Sequence, residues 1–173
     1  MGGGGYAPSM RAVPTPETIN PRRRSRFAGD RHATMRRSMA ALAAVPLFDR
    51  FSKKHLRQLA GETDVVTFAP GRAIVEEGQT GEAMFVVLAG VARVTRGDRT
   101  VAELFPGDFF GELSALDGGP RTASVVAQTP VQALRLFRHT LRRMIEEEPA
   151  LVAGLLEGLA RRLRSVLPSS PDG

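Results

Sequence analysis

The sequence predicts a single domain that is mainly β with flanking helices, an α+β arrangement whose strands close as a sandwich or barrel. Three observations carry this. Between residues 63 and 137, short segments rich in Val, Phe and Leu are separated by turn residues at the spacing of an all-β unit. After residue 137 the apolar residues recur with helical period instead. The length of 173 residues matches one domain and leaves little for a second.

In chain order, residues 1–34 are expected to form a disordered arm. They open on Gly2 to Gly5, carry Pro8, Pro14, Pro16 and Pro21, and show no apolar periodicity that could offset the entropy of ordering. The domain proper is assigned to 35–167. Met39 to Phe48 is the longest apolar stretch, and it follows Arg36-Arg37 as a secretory signal would. It contains Pro46 and falls well short of the ~20 residues of a membrane span, so it is expected to pack as a helix on the domain. Ser52 then suits the N-cap of a short helix with Leu56, Leu59 and Ala60 on its inner face, ended by Gly61.

Strands are expected near 63–69, 72–76, 83–88, 91–96, 99–105, 108–110, 122–128 and 131–137. The breaks are Pro70-Gly71, Gly78 to Gly81, Ala89-Gly90, Gly97-Asp98, Pro106-Gly107 and Thr129-Pro130. One interruption differs: Glu112 to Leu116 has no β-branched residue and lies between Gly111 and Gly118-Gly119, which predicts a turn of helix inside the β region. Two helices are expected over 138–166. The first uses Leu141, Met144 and Ile145; the second follows Pro149 with a stripe of Leu151, Leu155, Leu159 and Leu163 beside Val152, Leu156 and Val166. Residues 168–173 are expected to be a disordered end.

The net charge of +6 is confined to the arm. Residues 1–40 hold eight arginines against Glu17 and Asp30, and the remainder balances 16 basic with 16 acidic residues. The absence of cysteine excludes disulfide frameworks, thiol catalysis and cysteine-bearing zinc sites, and fits a cytoplasmic location. His32, His55 and His139 are the three histidines; one is in the arm and two are on expected helices, so no strand offers the clustered metal ligands of a β-fold metalloenzyme. No metal site, catalytic residue or cofactor is therefore expected.

The strongest local feature runs from 109 to 124. A short helix entered through Gly111 presents backbone N–H groups to an anion, and Arg121, returned by Gly118-Gly119-Pro120, adds a two-pronged donor. Glu112 cannot serve the anion, because like charges repel, so it would accept from a neutral hydroxyl. Donors for an anion plus an acceptor for a hydroxyl describe a sugar phosphate. The bland alternative is a bridge from Arg121 to Asp117 or Glu112.

Phe110-Gly111-Glu112-Leu113 followed by Pro120-Arg121-Thr122-Ala123 resembles the phosphate-binding cassette of cyclic nucleotide-binding domains. Pro70-Gly71, Glu77-Gly78, Phe85 to Val91 and Pro106-Gly107-Asp108 resemble that family's recurring glycines and strands, so the likeness covers roughly residues 43–166. The resemblance implies a double-stranded β-helix, a jelly-roll-like β-roll, with the short helix inside it. It implies cAMP or cGMP as ligand, with Glu112 at the ribose 2′-hydroxyl and Arg121 at the cyclic phosphate. Gly111, Leu113 and Ser114 would supply backbone N–H groups, and Thr122 or Ala123 the remaining phosphate contacts. A hydroxyl at Thr122 is associated in this family with tolerance of guanine. Arg161 or Arg162 stands where a lid contact from the last helix would fall.

The implied function is a regulatory sensor that signals by repositioning its C-terminal helix, with an unknown effector protein as partner or a homodimer built on that helix. The chain ends soon after this helix, so DNA is not an expected partner. Two other function classes compete. One is an interaction module that has kept the fold and lost the ligand. The other binds nucleic acid or an anionic surface through the basic arm, with only Tyr6 and Phe27 as aromatics to stack.

Overall fold

The computed structural model describes residues 27–166. The expected disorder of 1–26 and 168–173 lies outside these residues. The first described element is helix α1, Phe27–Ala43, which begins inside the segment assigned above to a disordered arm. Ala, Arg and Met are strong helix formers, and no proline follows Pro21 before Pro46. Met35, Met39 and the buried Leu42 recur at helical spacing and pack on the core. Helix α1 thus overlaps residues 27–34 of the segment assigned to the arm.

A 3-10 turn, Pro46–Phe48, buries Leu47 and Phe48. Helix α2, Lys53–Gly61, follows, with the Ser52 hydroxyl accepting from the His55 amide as its N-cap. Eight strands come next: β1 (Asp64–Phe68), β2 (Ala73–Val75), β3 (Ala83–Ala89), β4 (Ala92–Arg96), β5 (Arg99–Leu104), β6 (Phe109–Phe110), β7 (Ser124–Ala127) and β8 (Val131–Phe137). All eight expected strands are present. Helix α3, Glu112–Asp117, interrupts them, and α4 (Arg138–Glu147) and α5 (Leu151–Val166) close the chain.

The strands form two antiparallel four-stranded sheets, ordered β1-β8-β3-β6 and β2-β7-β4-β5. This is the expected double-stranded β-roll. Apart from the β4–β5 hairpin, consecutive strands lie in different sheets, so the other connections cross from one sheet to the other.

The first sheet is covered on both faces, and period-two alternation shows how. Met84, Val86, Leu134 and Leu136 face the helices, where they meet Leu42, Leu47, Phe48, Leu59, Leu141 and Leu155. Ala83, Phe85, Val87, Val131 and Ala133 face the second sheet, where they meet Ala92, Leu104, Val125 and Ala127. β3 can thus read Ala-Met-Phe-Val-Val-Leu-Ala with no polar residue.

Candidate functional site

The site forms around α3, which follows β6 and packs against β3 and α4. α3 is six residues long and bounded by glycines at both ends. Gly111 has φ 77°, a conformation that L side chains rarely adopt, and an added Cβ would lie 2.4 Å from the Arg121 Nη1. At the other end the Gly118 amide bonds the Ser114 carbonyl at 2.9 Å, and the Asp117 carboxylate accepts from the Gly119 amide at 2.7 Å. Asp117 is thereby spent on the turn, which removes it as the partner of Arg121.

Arg121 is fixed first by its backbone. Its amide donates to the Gln79 carbonyl and its carbonyl accepts from the Gly78 amide, both at 2.8 Å, so the 76–81 loop holds the segment like a third strand. Its side chain then runs inward to 7% exposure. Nη1 donates to the Gly111 carbonyl at 2.9 Å, and Nη2 to the Ala83 carbonyl at 2.6 Å. Burial pulls its pKa below the ordinary arginine value, while the nearby Glu112 and Glu82 carboxylates oppose that shift. The group stays a cation. Two of its roughly five N–H donors are engaged by these carbonyls.

A cavity of about 510 Å³ opens beside this guanidinium. Gly111, Glu112, Leu113, Ser114, Arg121, Thr122 and Ala123 all line it, so the seven ligand-binding residues expected from the sequence converge on one space. Glu112 and Ser114 are buried, at 4% and 2% exposure, whereas Leu113 stands at the mouth at 45%. Most of the rest of the wall is apolar, Val75, Val94, Val101, Ala102, Leu104, Phe110 and Val125, with Arg96 as its one charged residue among the described residues. One end of the cavity can therefore take an anion, a buried carboxylate can take a hydroxyl, and the apolar wall can take a flat ring.

Of the two lid candidates, Arg161 does not line this cavity. Arg161 donates to the Pro46 carbonyl at 2.9 Å and to the Asp49 carboxylate at 2.6 Å, which ties α5 to the 3-10 turn on the helical side of the molecule. In this structure it serves as a tether between α5 and the segment around the 3-10 turn. The Arg162 side chain lies outside the described set.

Sequence reasoning missed the apolar wall, Arg96 and the role of Gly81. The wall was signalled by alternation on β4 and β5, but only register shows which face is inward. Gly81 is buried, and a Cβ there would sit 2.3 Å from the Arg121 Cζ and Nε. That requirement comes from a residue 40 positions away and leaves no local mark.

The comparisons agree with this geometry. A family model described as cyclic nucleotide-binding domain matches residues 65–148. The CRP-like cAMP-activated global transcriptional regulator of Mycobacterium tuberculosis is 32% identical over 128 residues, covering 71% of this chain and 57% of that protein. The chain thus spans little more than half of that relative's length. The N-terminal domain of a transcriptional regulator from Streptomyces coelicolor A3(2) is 32% identical, with a TM-score of 0.64 over 77% of this chain and 99% of that one. The regulatory domain of Toxoplasma gondii PKA, solved with cAMP, shares the fold at TM-score 0.67 and 22% identity, over 79% of this chain and 52% of that one. Because almost the whole of the Streptomyces domain is matched, and the family model runs from β1 to the end of α4, the chain belongs to the cyclic nucleotide-binding domain family.

Proposed function

We propose that the protein is a cytoplasmic sensor that binds a purine 3′,5′-cyclic nucleotide, cAMP or cGMP, and passes the signal on through its C-terminal helix. The observation that carries this is the Arg121 guanidinium, 7% exposed, on the same cavity wall as the buried Glu112 carboxylate. A cyclic sugar phosphate would engage both groups, its phosphate the cation and its ribose hydroxyl the carboxylate. The exocyclic oxygens accept from Arg121 and from the 111–114 and 122–123 backbone, and the ribose 2′-hydroxyl donates to Glu112. The base lies on the apolar wall.

The signal follows from differential contact. In this structure α5 is seated on the 3-10 turn by the close approach of Gly158 to Leu47 and Pro46, with the Arg161–Asp49 and Arg50–Glu157 pairs at its edge. A ligand that favours a second seat for α5 shifts the population between the two. Val152, Leu156 and Leu163 on α5 are exposed and would meet an effector protein or a second copy of the chain.

Isothermal titration of the 173-residue chain with cAMP and with cGMP tests the reading. Micromolar or tighter binding of either is expected. No heat from either would favour the interaction module that has the fold without the ligand.

A further inference from the structure

The loop that seats the backbone of Arg121 is itself tied to the hairpin that carries much of the apolar wall, and one side chain makes the tie. Glu77 is the second residue after β2, in the 76–81 loop whose Gly78 amide and Gln79 carbonyl bracket Arg121. Its own amide donates to the Ser124 Oγ at 2.9 Å, at the start of β7. Its carboxylate accepts from the Gly97 amide at 2.8 Å. Gly97 and Asp98 form the turn between β4 and β5, where Arg96 pairs with Arg99 and Gly97 takes φ 53°. An amide in such a turn lies beyond the ladder, so Glu77 supplies its acceptor from outside the hairpin. β4 and β5 bring Val94, Val101 and Leu104 to the cavity from the second sheet, whereas the Arg121 guanidinium is anchored on the first, at the Ala83 carbonyl of β3.

We infer that Glu77 is a positioning residue for the ligand: its carboxylate fixes the β4–β5 hairpin against the loop that seats Arg121, and so sets the separation between the apolar wall and the guanidinium. The inference rests on the cyclic-nucleotide reading above and deepens it. Glu77 is exposed and does not line the cavity, so it acts through Gly97 and not by touching the nucleotide. A bond at the surface contributes little to the stability of the fold. It acts on binding instead, because a hairpin free to swing must be ordered each time a ligand spans the two sheets, and that entropy is subtracted from the affinity. What the role requires is an oxygen acceptor at the Gly97 amide. A negative charge is not required, and this separates the tie from a long-range effect of the carboxylate on the arginines of the cavity.

The test compares the full chain with Glu77→Ala and Glu77→Gln. Affinities for cAMP and cGMP are read by isothermal titration, dissociation by stopped-flow displacement of a fluorescent 8-substituted cAMP, and the tie itself by exchange of the Gly97 amide in the ligand-free protein by nuclear magnetic resonance. Glu77→Ala should weaken both nucleotides in parallel by about fivefold, mainly through faster dissociation, and should speed exchange at Gly97 while the thermal midpoint stays in place. Glu77→Gln, which keeps an oxygen for the Gly97 amide, should return all of these to within about twofold of wild type. Wild-type affinity in Glu77→Ala would overturn the inference. So would a Gln variant as weak as the Ala variant, since the charge would then be the active element, or a loss confined to one nucleotide, since Glu77 would then act at the base. Weaker binding with unchanged exchange at Gly97, or weaker binding accompanied by a lowered thermal midpoint, would overturn it as well. Failure of the wild-type chain to bind either nucleotide is a different result, which overturns the sensor reading itself and this role with it.

Discussion

At the scale of the residue, the site depends on where one guanidinium is seated. Arg121 donates to two main-chain carbonyls, so its position is set largely by backbone that its own substitution leaves in place. Arg121→Ala should weaken cyclic nucleotide binding by about 1.5–3 kcal/mol, the range for bonds to charged groups, or about tenfold to a hundredfold by titration calorimetry. Gly81→Ala is the sharper test, because the added Cβ would meet the flexible end of Arg121 at 2.3 Å and push it from its seat while the arginine remains present. Binding should fall by at least about fivefold with Arg121 intact; unchanged affinity would show that Arg121 engages the ligand from another position. Glu112 is checked through its ligand partner. The 2′-deoxy nucleotide should bind about tenfold more weakly than the ribose form to wild type and equally with it to Glu112→Ala, since removing either end breaks the same bond.

The element whose placement decides the signal is α5. Its Arg50–Glu157 and Arg161–Asp49 pairs are exposed, and such pairs contribute little. Close backbone approach holds it instead. A Cβ at Gly158 would lie 2.6 Å from the Leu47 Cα and 2.7 Å from the Pro46 carbonyl oxygen, atoms that cannot swing away as a side chain can. Gly154 likewise sits over the Arg50 Cβ. On an unencumbered helix Gly→Ala stabilises by about 1 kcal/mol, so the sign of the effect is diagnostic. Gly158→Ala should instead lower stability by about 1–3 kcal/mol in urea titration and speed amide exchange along α5. A gain in stability would mean that α5 is not seated on the 3-10 turn in solution.

For the whole molecule, the first sheet is the common wall of two cores. Leu134 faces the helices and Val87 faces the second sheet, yet both lie on neighbouring strands of that sheet. The two cores should therefore unfold together. Leu134→Ala is expected to cost about 2–5 kcal/mol, and Val87→Ala somewhat less because fewer methyl groups are removed. Each should lower one shared midpoint in urea, followed by far-ultraviolet circular dichroism and by α5 amide exchange. Separate midpoints for the two probes would show that the helical layer unfolds on its own.

Much of this was legible without coordinates. The strands were, because the glycines and prolines that break the chain act on their own φ and ψ, and the alternation between breaks is local. So was α3, because a glycine-bounded turn is a pattern of neighbours; the grouping of 111–114 with 121–123 came from the family resemblance, and these residues line one cavity. The start of α1 was hidden, because residues 27–34 carry no apolar periodicity and the inward Met35, Met39 and Leu42 lie further along the helix. Arg96 reads in sequence as a charge on an open strand face; only the pairing of β4 with β5 and β7 turns it toward the cavity. The partners of Arg121, the requirement for glycine at 81 and the tether at Arg161 belong to the fold alone. Each joins residues far apart along the chain, and such a contact exists only once the two sheets and the helical layer have closed on each other.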